Sequence, residues 1–291
     1  MLGFYRKSVM PKSIPTFLNT AFLLKHMDKS FLPVSFEEGK EYYKNFKEFD
    51  VVFITGDPYY DHPLSGMSII ARLLDKKGYK IGIIAQPLSD EDYKACGKPK
   101  YFFCITSGLL DSMLANYTPM LKKRENILVP ERALMVYTQK IKQLFKGPIT
   151  VLGGVEATIR RFTHFDYKDN KLRRGILNDT KADLLLFGNA ERSILTLLKR
   201  MDKLKMGSFE TIKQKLDLNS IEGASFRIKK SEIDGKIRKL PSYEECMEDK
   251  QKFNLLARTF YLLPDDSFIE GCGSGFIQHN RQSHTLTEKE M

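Results

Sequence analysis

Short apolar runs alternate with helix-compatible segments through most of the chain, and this alternation constrains the fold more than any other feature. Residues 50–55, rich in β-branched side chains, end at Gly56 and indicate a buried strand. Residues 66–77 carry apolar side chains at helical spacing, and Gly78 is a typical helix stop. Residues 80–86 are the next apolar run. A strand, a helix and a strand in so short a stretch predict a βαβ unit, whose strands pair in parallel.

The alternation continues further along the chain. Three more strands are predicted, over residues 101–106, 148–152 and 182–187, with helices between and after them. Five such units predict an α/β fold with a doubly wound, mainly parallel five-stranded sheet. Crossover connections are right-handed, and the winding direction reverses after the second strand. The expected strand order is therefore the flavodoxin-like 2-1-3-4-5.

The same pattern suggests four segments. Residues 1–47 are predicted to form an N-terminal arm, and residues 48–204 the Rossmann-like α/β domain. Residues 205–262 contain one more candidate strand and helix and are expected to form an α/β extension. Residues 263–291 show no apolar periodicity. We expect them to be a poorly packed linker.

Composition narrows the class of protein. Hydrophobic residues make up 42% and charged residues 29% of the chain, and no run approaches the roughly 18 apolar residues of a membrane span. Four scattered cysteines fit a reducing cytoplasm better than a disulfide scaffold. The net charge of +11 is compatible with nucleic-acid binding, but its lysines are spread along amphipathic stretches, which favours a solvated surface. We therefore expect a cytoplasmic protein with no membrane partner and no specific nucleic-acid binding.

Glycine and polar residues follow the predicted strands at their carboxyl ends, which is where open α/β sheets bind ligands. The candidate pocket residues are Gly56, Asp57, Tyr60, His62, Gly66, Ser107, Gly108, Gly153, Gly154, Glu156, Gly188, Asn189 and Glu191. Glycine lets backbone N–H groups approach a ligand, and helix N-termini attract anions. Ordinary strand-to-helix turns use the same residue types, but four such loops at one edge favour a pocket.

Several of these residues have structural alternatives. His62 can serve as a base or a ligand, or can simply pack within its loop before Pro63. Glu156 and Glu191 come early in predicted helices, where the helix dipole stabilises a carboxylate, so capping is the favoured interpretation for both. Four arginines around residues 164–167 either bind an anion or RNA or pair with nearby acids: Arg160, Arg161, Arg173 and Arg174.

Standard cofactor motifs are absent from the sequence. It contains no P-loop, no strand-linked G-x-G-x-x-G and no Cys/His set at zinc-finger spacing. Cys96, Cys104, Cys246 and Cys272 are dispersed, and they do not form the clustered set of three that a [4Fe–4S] centre would need. We expect this chain to hold no metal or cluster by itself.

A family resemblance becomes visible at the same loops. The chain reads VFITGDPYYDHP over residues 52–63, GIIAQP over 82–87, VLGGVEA over 151–157 and FGNAER over 187–192. These ordered blocks resemble the N-terminal domain of YgiQ-type radical S-adenosylmethionine proteins. The resemblance extends from Phe31 to the last residues. It implies a sheet similar to the cobalamin-binding-like domain that precedes the catalytic barrel of many radical enzymes.

Cobalamin itself is not implied, because Asp61 and His62 are adjacent and the histidine-ligand pattern D-x-H-x-x-G is missing. In the resembled family a C-x-x-x-C-x-x-C motif follows this domain and begins the barrel that uses a [4Fe–4S] cluster and S-adenosylmethionine. This sequence lacks that motif. The resemblance therefore implies an N-terminal accessory domain that is cut before its barrel, has the barrel as partner, acts on an unknown substrate and is inactive alone. The alternatives are an RNA- or nucleotide-binding module and a nonfunctional gene fragment.

Overall fold

The computed structural model describes residues 31–59, 61–204 and 207–285. Its strands are β1 Val51–Thr55, β2 Ile81–Ala85, β3 Phe102–Thr106, β4 Ile149–Leu152, β5 His164–Asp166, β6 Lys171–Arg173, β7 Leu184–Leu186, β8 Ala224–Ile228, β9 Arg238–Lys239, β10 Phe268–Cys272 and β11 Gly275–His279. Its α-helices are α1 Phe36–Tyr42, α2 Gly66–Lys76, α3 Asp90–Lys94, α4 Ser112–Asn116, α5 Ala133–Leu144, α6 Gly154–Ile159, α7 Ile176–Thr180, α8 Glu191–Met201, α9 Phe209–Ile212, α10 Tyr243–Glu248 and α11 Lys250–Leu262. Short 3₁₀ turns cover Lys213–Leu216, Leu218–Ser220 and Lys230–Glu232.

One mixed sheet joins nine of the described strands in the order β2-β1-β3-β4-β7-β8-β11-β10-β9. The first five strands of that order pair in parallel, with Val51 opposite both Ile81 and Phe102. Beyond β7 the sheet changes direction, because β8 pairs antiparallel with both β7 and β11. Strands β10 and β11 form an antiparallel hairpin, and the short β9 runs parallel to β10. Strands β5 and β6 form a separate hairpin.

The prediction of a five-stranded sheet in the order 2-1-3-4-5 is wrong for the sheet as a whole, which has nine strands and mixed direction. Its parallel part does run β2-β1-β3-β4-β7. The four added strands lie beyond residue 204, so a single sheet continues across the predicted segment boundaries at residues 204 and 262. The alternation of strand and helix that exposes a parallel sheet in sequence is missing there, because adjacent antiparallel strands need no crossover helix.

The expectation of poor packing after residue 263 is also wrong for the described part of that segment. Phe268, Ile269 and Ile277 are buried, and the strands that carry them pair along their whole length. Polar residues of the same hairpin are buried as well, including Glu270 and His279. Buried polar side chains remove the apolar periodicity from the sequence, which is why this hairpin resembles a linker.

Apolar layers cover both faces of the parallel strands. Along β1, Val51 and Phe53 point into the layer beneath α2 and α8, whereas Val52 and Ile54 point into the layer beneath α3 and α5. Covering on both sides explains why all five residues of β1 are buried. A smaller cluster, which includes Phe162 and Leu256, lies beneath α10 and α11. Within the described ranges, no helix has both the length and the apolar character to cross a bilayer.

Candidate functional site

A cavity of about 360 Å³ lies at the carboxyl ends of β1, β3, β4 and β7. The first turns of α2 and α8 form its walls. Phe53, Val151 and Leu186 belong to the apolar layer on this side of the sheet and form its floor, together with Met67 and Ile194. This is the carboxyl-edge position predicted from the sequence, and the volume is in the range of small-molecule sites.

Eight of the thirteen predicted pocket residues line this cavity: Asp57, Gly66, Gly108, Gly153, Gly154, Gly188, Asn189 and Glu191. Gly56 and Ser107 lie in the same loops but outside the lining, and Glu156 lies in the first turn of α6, also outside it. Tyr60 lies outside the described residues. His62 is exposed and lines a neighbouring depression of about 620 Å³. Whether any of these residues binds a ligand stays a prediction.

The predicted set misses several lining residues, among them the polar residues Thr106 and Ser65. Thr106 ends β3, and its hydroxyl accepts a hydrogen bond from the Gly108 N–H at 3.2 Å. Ser65 is the N-cap of α2, and its hydroxyl accepts from the Ser68 N–H at 3.4 Å. A polar residue that ends an apolar strand and a serine directly before a helix are the sequence signals that point to them.

Two glycines in left-handed backbone shape the rim of the cavity. Gly108 has φ +109° and Gly154 has φ +83°. A Cβ atom at Gly108 would overlap the carboxylate of Asp57, and one at Gly154 would overlap the hydroxyl of Thr106. Both the backbone conformation and the lack of space therefore require glycine here.

Asp57 supplies one carboxylate of the cavity and is tied to the loop after β3. Its Oδ2 accepts a hydrogen bond from the Leu109 N–H at 2.6 Å, and its own N–H donates to the Thr55 hydroxyl at 3.2 Å. Burial raises the pKa of Asp57, and the hydrogen bond from Leu109 opposes that rise. The contact fixes the ends of β1 and β3 relative to each other.

Glu191 supplies the second carboxylate, at the first residue of α8. Its Oε2 is buried and has no hydrogen-bond partner among the described residues. The side chain also lines the neighbouring depression and so separates the two spaces. The N-cap of α8 is Ala190, which makes no side-chain cap bond, and the position of Glu191 in the first turn suits the helix dipole.

Glu156 has a different environment from Glu191. It is 1% exposed, and its Oε2 accepts a hydrogen bond from the Ser112 N–H at 2.8 Å. It therefore binds the start of α4 rather than capping α6, the helix that carries it. Burial raises the pKa of Glu156. The residue holds the loops after β3 and β4 together behind the cavity.

Three of the four arginines considered as anion ligands are paired with acids. Arg160 donates to both oxygens of Asp111, at 2.7 and 3.0 Å, in a buried pair. Arg173 lies 2.9 Å from Asp166 and forms further ion pairs, and Arg174 lies 3.1 Å from Asp179. The remaining one, Arg161, packs over the rings of Phe162, Phe187 and Phe260. Pairing with nearby acids, one of the two predicted interpretations, is thus observed for these three.

A buried acid–base cluster joins the loop after α6 to the β10–β11 hairpin. Glu270 Oε1 accepts from the Thr163 N–H at 2.9 Å, and its Oε2 lies 3.9 Å from His279 Nε2. Neither of these facing atoms has a hydrogen-bond partner among the described residues. Burial raises the pKa of Glu270 to about 7 and lowers that of His279, which nearby Arg161 lowers further. The sequence did not predict this cluster, because the local sequence around Glu270 and His279 does not distinguish them from surface residues.

Comparison with known proteins identifies the family. Residues 31–291 match the family described as Radical SAM N-terminal. The chain belongs to this family. The predicted resemblance to the N-terminal domain of YgiQ-type proteins is therefore confirmed.

Relatives of this Radical SAM N-terminal chain are considerably longer. A UPF0313 protein of Methanocaldococcus jannaschii is 40% identical over 276 residues, which cover 90% of this chain and 44% of the relative. A UPF0313 protein of Geobacter sulfurreducens is 38% identical over 282 residues, covering 90% and 44%. One from Clostridium botulinum (strain Okra) is 36% identical over 284 residues, covering 92% and 42%. The chain thus spans less than half the length of these relatives.

The cysteines of this Radical SAM N-terminal chain do not fit a [4Fe–4S] cluster. Cys96, Cys104 and Cys246 are buried, Cys272 is partly exposed, and they lie in separate parts of the fold. Burial raises the pKa of the Cys104 thiol, which keeps it protonated rather than available as a thiolate ligand. Within the described ranges, no three His, Cys, Asp or Glu side chains are grouped to hold a metal ion. We therefore derive no role for a cluster from these residues.

The last described residues of the Radical SAM N-terminal chain lie at the same edge as the cavity. Ser283 forms an isolated parallel bridge with Gly188. The guanidinium of Arg192 donates to the Thr285 carbonyl at 3.3 Å, and Thr285 lines the depression beside Glu191. Exposed apolar side chains follow the strands that end at this edge, and we call them the apolar rim: Leu64, Leu109, Leu110, Val155 and Ile159. Leu64, Leu109 and Val155 also line the cavity. Clustered exposed apolar residues are typical of interaction surfaces.

Proposed function

We propose that this chain is the N-terminal accessory domain of a radical S-adenosylmethionine enzyme, and that its carboxyl edge packs against a catalytic barrel. The observation that carries the proposal is the position of Thr285, beside the cavity and next to Glu191. Thr285 is the last residue that the structure describes, and it lies at this edge. The greater length of the relatives supports a further domain.

The apolar rim is the contact surface in this proposal. Its side chains are 46–77% exposed. Three of them lie on the loops after β1 and β3, and two lie on α6, which follows β4. Covering such side chains removes apolar area from water, which favours association by roughly 25 cal/mol per Å² before the costs of docking are subtracted. The cavity lies inside the rim, and a docked barrel would close it from solvent.

Radical chemistry belongs to the barrel in this proposal, because the cysteines of this chain do not fit the cluster. The contribution of the chain is binding. It offers an apolar floor, rigid glycine turns and two carboxylates at the edge of a sheet whose loops are cross-linked by Asp57, Glu156 and Asp111. Fixed groups of this kind orient a bound molecule at little entropic cost.

The RNA- or nucleotide-binding alternative finds less support in the site. Phosphate recognition relies on arginine, lysine or backbone N–H groups at helix starts. Among the described residues that line the cavity there is no arginine, lysine or histidine. Of the four arginines proposed for an anion, Arg160, Arg173 and Arg174 are paired with acids.

A chimera tests the proposal. Residues 31–285 would replace the matching region of the Methanocaldococcus jannaschii relative, and 5′-deoxyadenosine would be measured after anaerobic cluster reconstitution. We expect product from the chimera, and neither product nor a stoichiometric cluster from the 291-residue chain alone. A cluster and S-adenosylmethionine cleavage in the isolated chain would overturn the proposal, and so would an inactive chimera that folds and holds its cluster.

A matched pair of variants tests the docking edge within that chimera. Leu110 on the rim and Leu255 on α11 are similarly exposed, at 57% and 52%. We expect Leu110→Asp to lower product formation at least about tenfold, because a charge would be buried at the interface. Leu255→Asp should leave it unchanged. Equal effects of the two substitutions would place the barrel elsewhere.

A further inference from the structure

We infer that the cavity binds a small molecule with a protonated nitrogen on an apolar body, such as a primary amine. The inference rests on the proposed function, because only that proposal makes the cavity part of an enzyme. It concerns the ligand of the same site, for which the sequence suggests only that helix N-termini attract anions. Three properties of the cavity support it, and a fourth, which is weaker, opposes it.

The charge of the lining is opposite to that of the chain. The protein as a whole carries a net charge of +11. The described residues that line the cavity include the carboxylates of Asp57 and Glu191 and no basic side chain. Charges that line a partly enclosed, low-dielectric space dominate the local potential over more distant surface lysines, which solvent screens. The cavity is therefore acidic within a basic protein.

Glu191 presents an unsatisfied acceptor. Its Oε2 is buried and has no hydrogen-bond partner among the described residues. A buried carboxylate oxygen without a donor is unfavourable, and a donor from a ligand would remove that cost. An ammonium group donates hydrogen bonds and accepts none, and it also neutralises the charge. A carboxylate or other anion neither donates such hydrogen bonds nor neutralises the negative charge.

Helix N-termini at the cavity act in the opposite direction, but they are weaker. The starts of α2, α6 and α8 line it, and each contributes at most roughly half a positive elementary charge. In α2 the Ser65 hydroxyl already accepts from the Ser68 N–H, which uses one of the free donors. Two carboxylates outweigh three charges of roughly half a unit each, so the net preference is for a cation.

The floor of the cavity favours an apolar body for the rest of the ligand. Phe53, Leu186 and Ile194 belong to the buried apolar layer and reach the lining. An apolar floor with a few placed polar groups is typical of small-molecule sites. A ligand that fills about 360 Å³ would place its body on this floor and its nitrogen at Glu191.

Three probes with the same ring and different head groups test the inference on the full chain: phenethylamine, phenethyl alcohol and phenylacetate. Their dissociation constants would be measured by ligand-observed NMR titration near neutral pH, where the amine is protonated. We expect the amine to bind at least about tenfold more tightly than the alcohol, since hydrogen bonds to charged groups are the stronger ones. Phenylacetate should bind most weakly. Equal affinities, or tightest binding of phenylacetate, would overturn the inference.

Variants locate the binding. Glu191→Gln should abolish the preference for the amine and leave alcohol binding unchanged, whereas Glu210→Gln, in the first turn of α9, should have no effect. A side chain at Gly66 would enter open space at the cavity wall, so Gly66→Phe should weaken binding of the amine and the alcohol. Gly235 has equally open space outside the lining, and Gly235→Phe is its control. Amine binding that survives both Glu191→Gln and Gly66→Phe would refute the site.

Failure of this inference and failure of the proposed function give different results. An active chimera whose cavity prefers phenylacetate overturns the ligand class alone. A chimera without 5′-deoxyadenosine formation, together with amine binding that depends on Glu191, overturns the proposed function and leaves the ligand class standing.

Discussion

Replacing Glu270 by glutamine is expected to change how the stability of the protein depends on pH. The carboxyl group is completely enclosed, with one oxygen bound to the Thr163 N–H and the other facing His279 at 3.9 Å. Its pKa is about 7 in the folded protein, against 4.5 for an ordinary glutamate, because burial disfavours the charged form. The folded state therefore keeps this proton at pH values where the unfolded chain has lost it.

This order of proton loss determines whether the stability of the protein rises or falls with pH. Below pH 4.5 both states hold the proton, and the carboxyl group imposes no charge-burial penalty. As the pH rises from 4.5 to about 7, only the unfolded chain ionises, so stability falls. The shift corresponds to a loss of about 3 kcal/mol, at 1.36 kcal/mol for each pKa unit. Above about pH 7 both states are ionised, and the loss is complete.

Glutamine keeps the shape and can still accept from the Thr163 N–H, but it never ionises. Urea unfolding of both proteins at about pH 4 and about pH 8 measures the difference. We expect nearly equal free energies of unfolding at the lower pH and a glutamine variant more stable by about 3 kcal/mol at the higher one. His279 titrates in both proteins, so its effect largely cancels.

Glu248→Gln on the exposed surface of α10 is the control, and it should show no such pH-dependent gain. The reasoning is refuted if the Glu270→Gln and parent curves remain parallel between the two pH values. Parallel curves would mean that the carboxyl group is solvated in the folded protein.

Other predictions concern the loops and the thiols. Gly154→Ala should lower stability by at least about 1–2 kcal/mol in thermal or urea unfolding, because a side chain is strained at its positive φ and has no space. Asp111→Asn should cost about 3–5 kcal/mol by the same measurement, because it leaves Arg160 buried without its charge partner. In native protein treated with iodoacetamide, mass spectrometry should find Cys272 modified well before Cys104, since burial keeps the latter protonated and inaccessible.

The sequence by itself determined the parallel half of the sheet and the edge at which the cavity lies. Residues 51–55 are apolar on both faces, and a glycine-rich turn and an amphipathic helix follow them. These are local signals, because a strand buried on both sides and a helix buried on one differ in period. Parallel strands also place their carboxyl ends together, so glycine loops that are distant in sequence must converge.

Only the tertiary structure decided which residues of those loops face the cavity. Glu156 and Glu191 have similar local contexts, each within the first turn of a helix after a glycine turn. Yet Glu191 lines the cavity, whereas Glu156 binds the N–H of Ser112 behind it. The direction of each side chain depends on how neighbouring loops pack, and no local pattern records that.

In the β10–β11 hairpin, too, the sequence does not show which side chains are buried. Glu270 receives its hydrogen bond from Thr163, and His279 contacts the Ser225 hydroxyl at 2.9 Å, so their partners are 107 and 54 residues away. In sequence these polar side chains predict a solvated segment. They are buried because distant strands and loops supply their partners, and only the assembled fold brings those groups together.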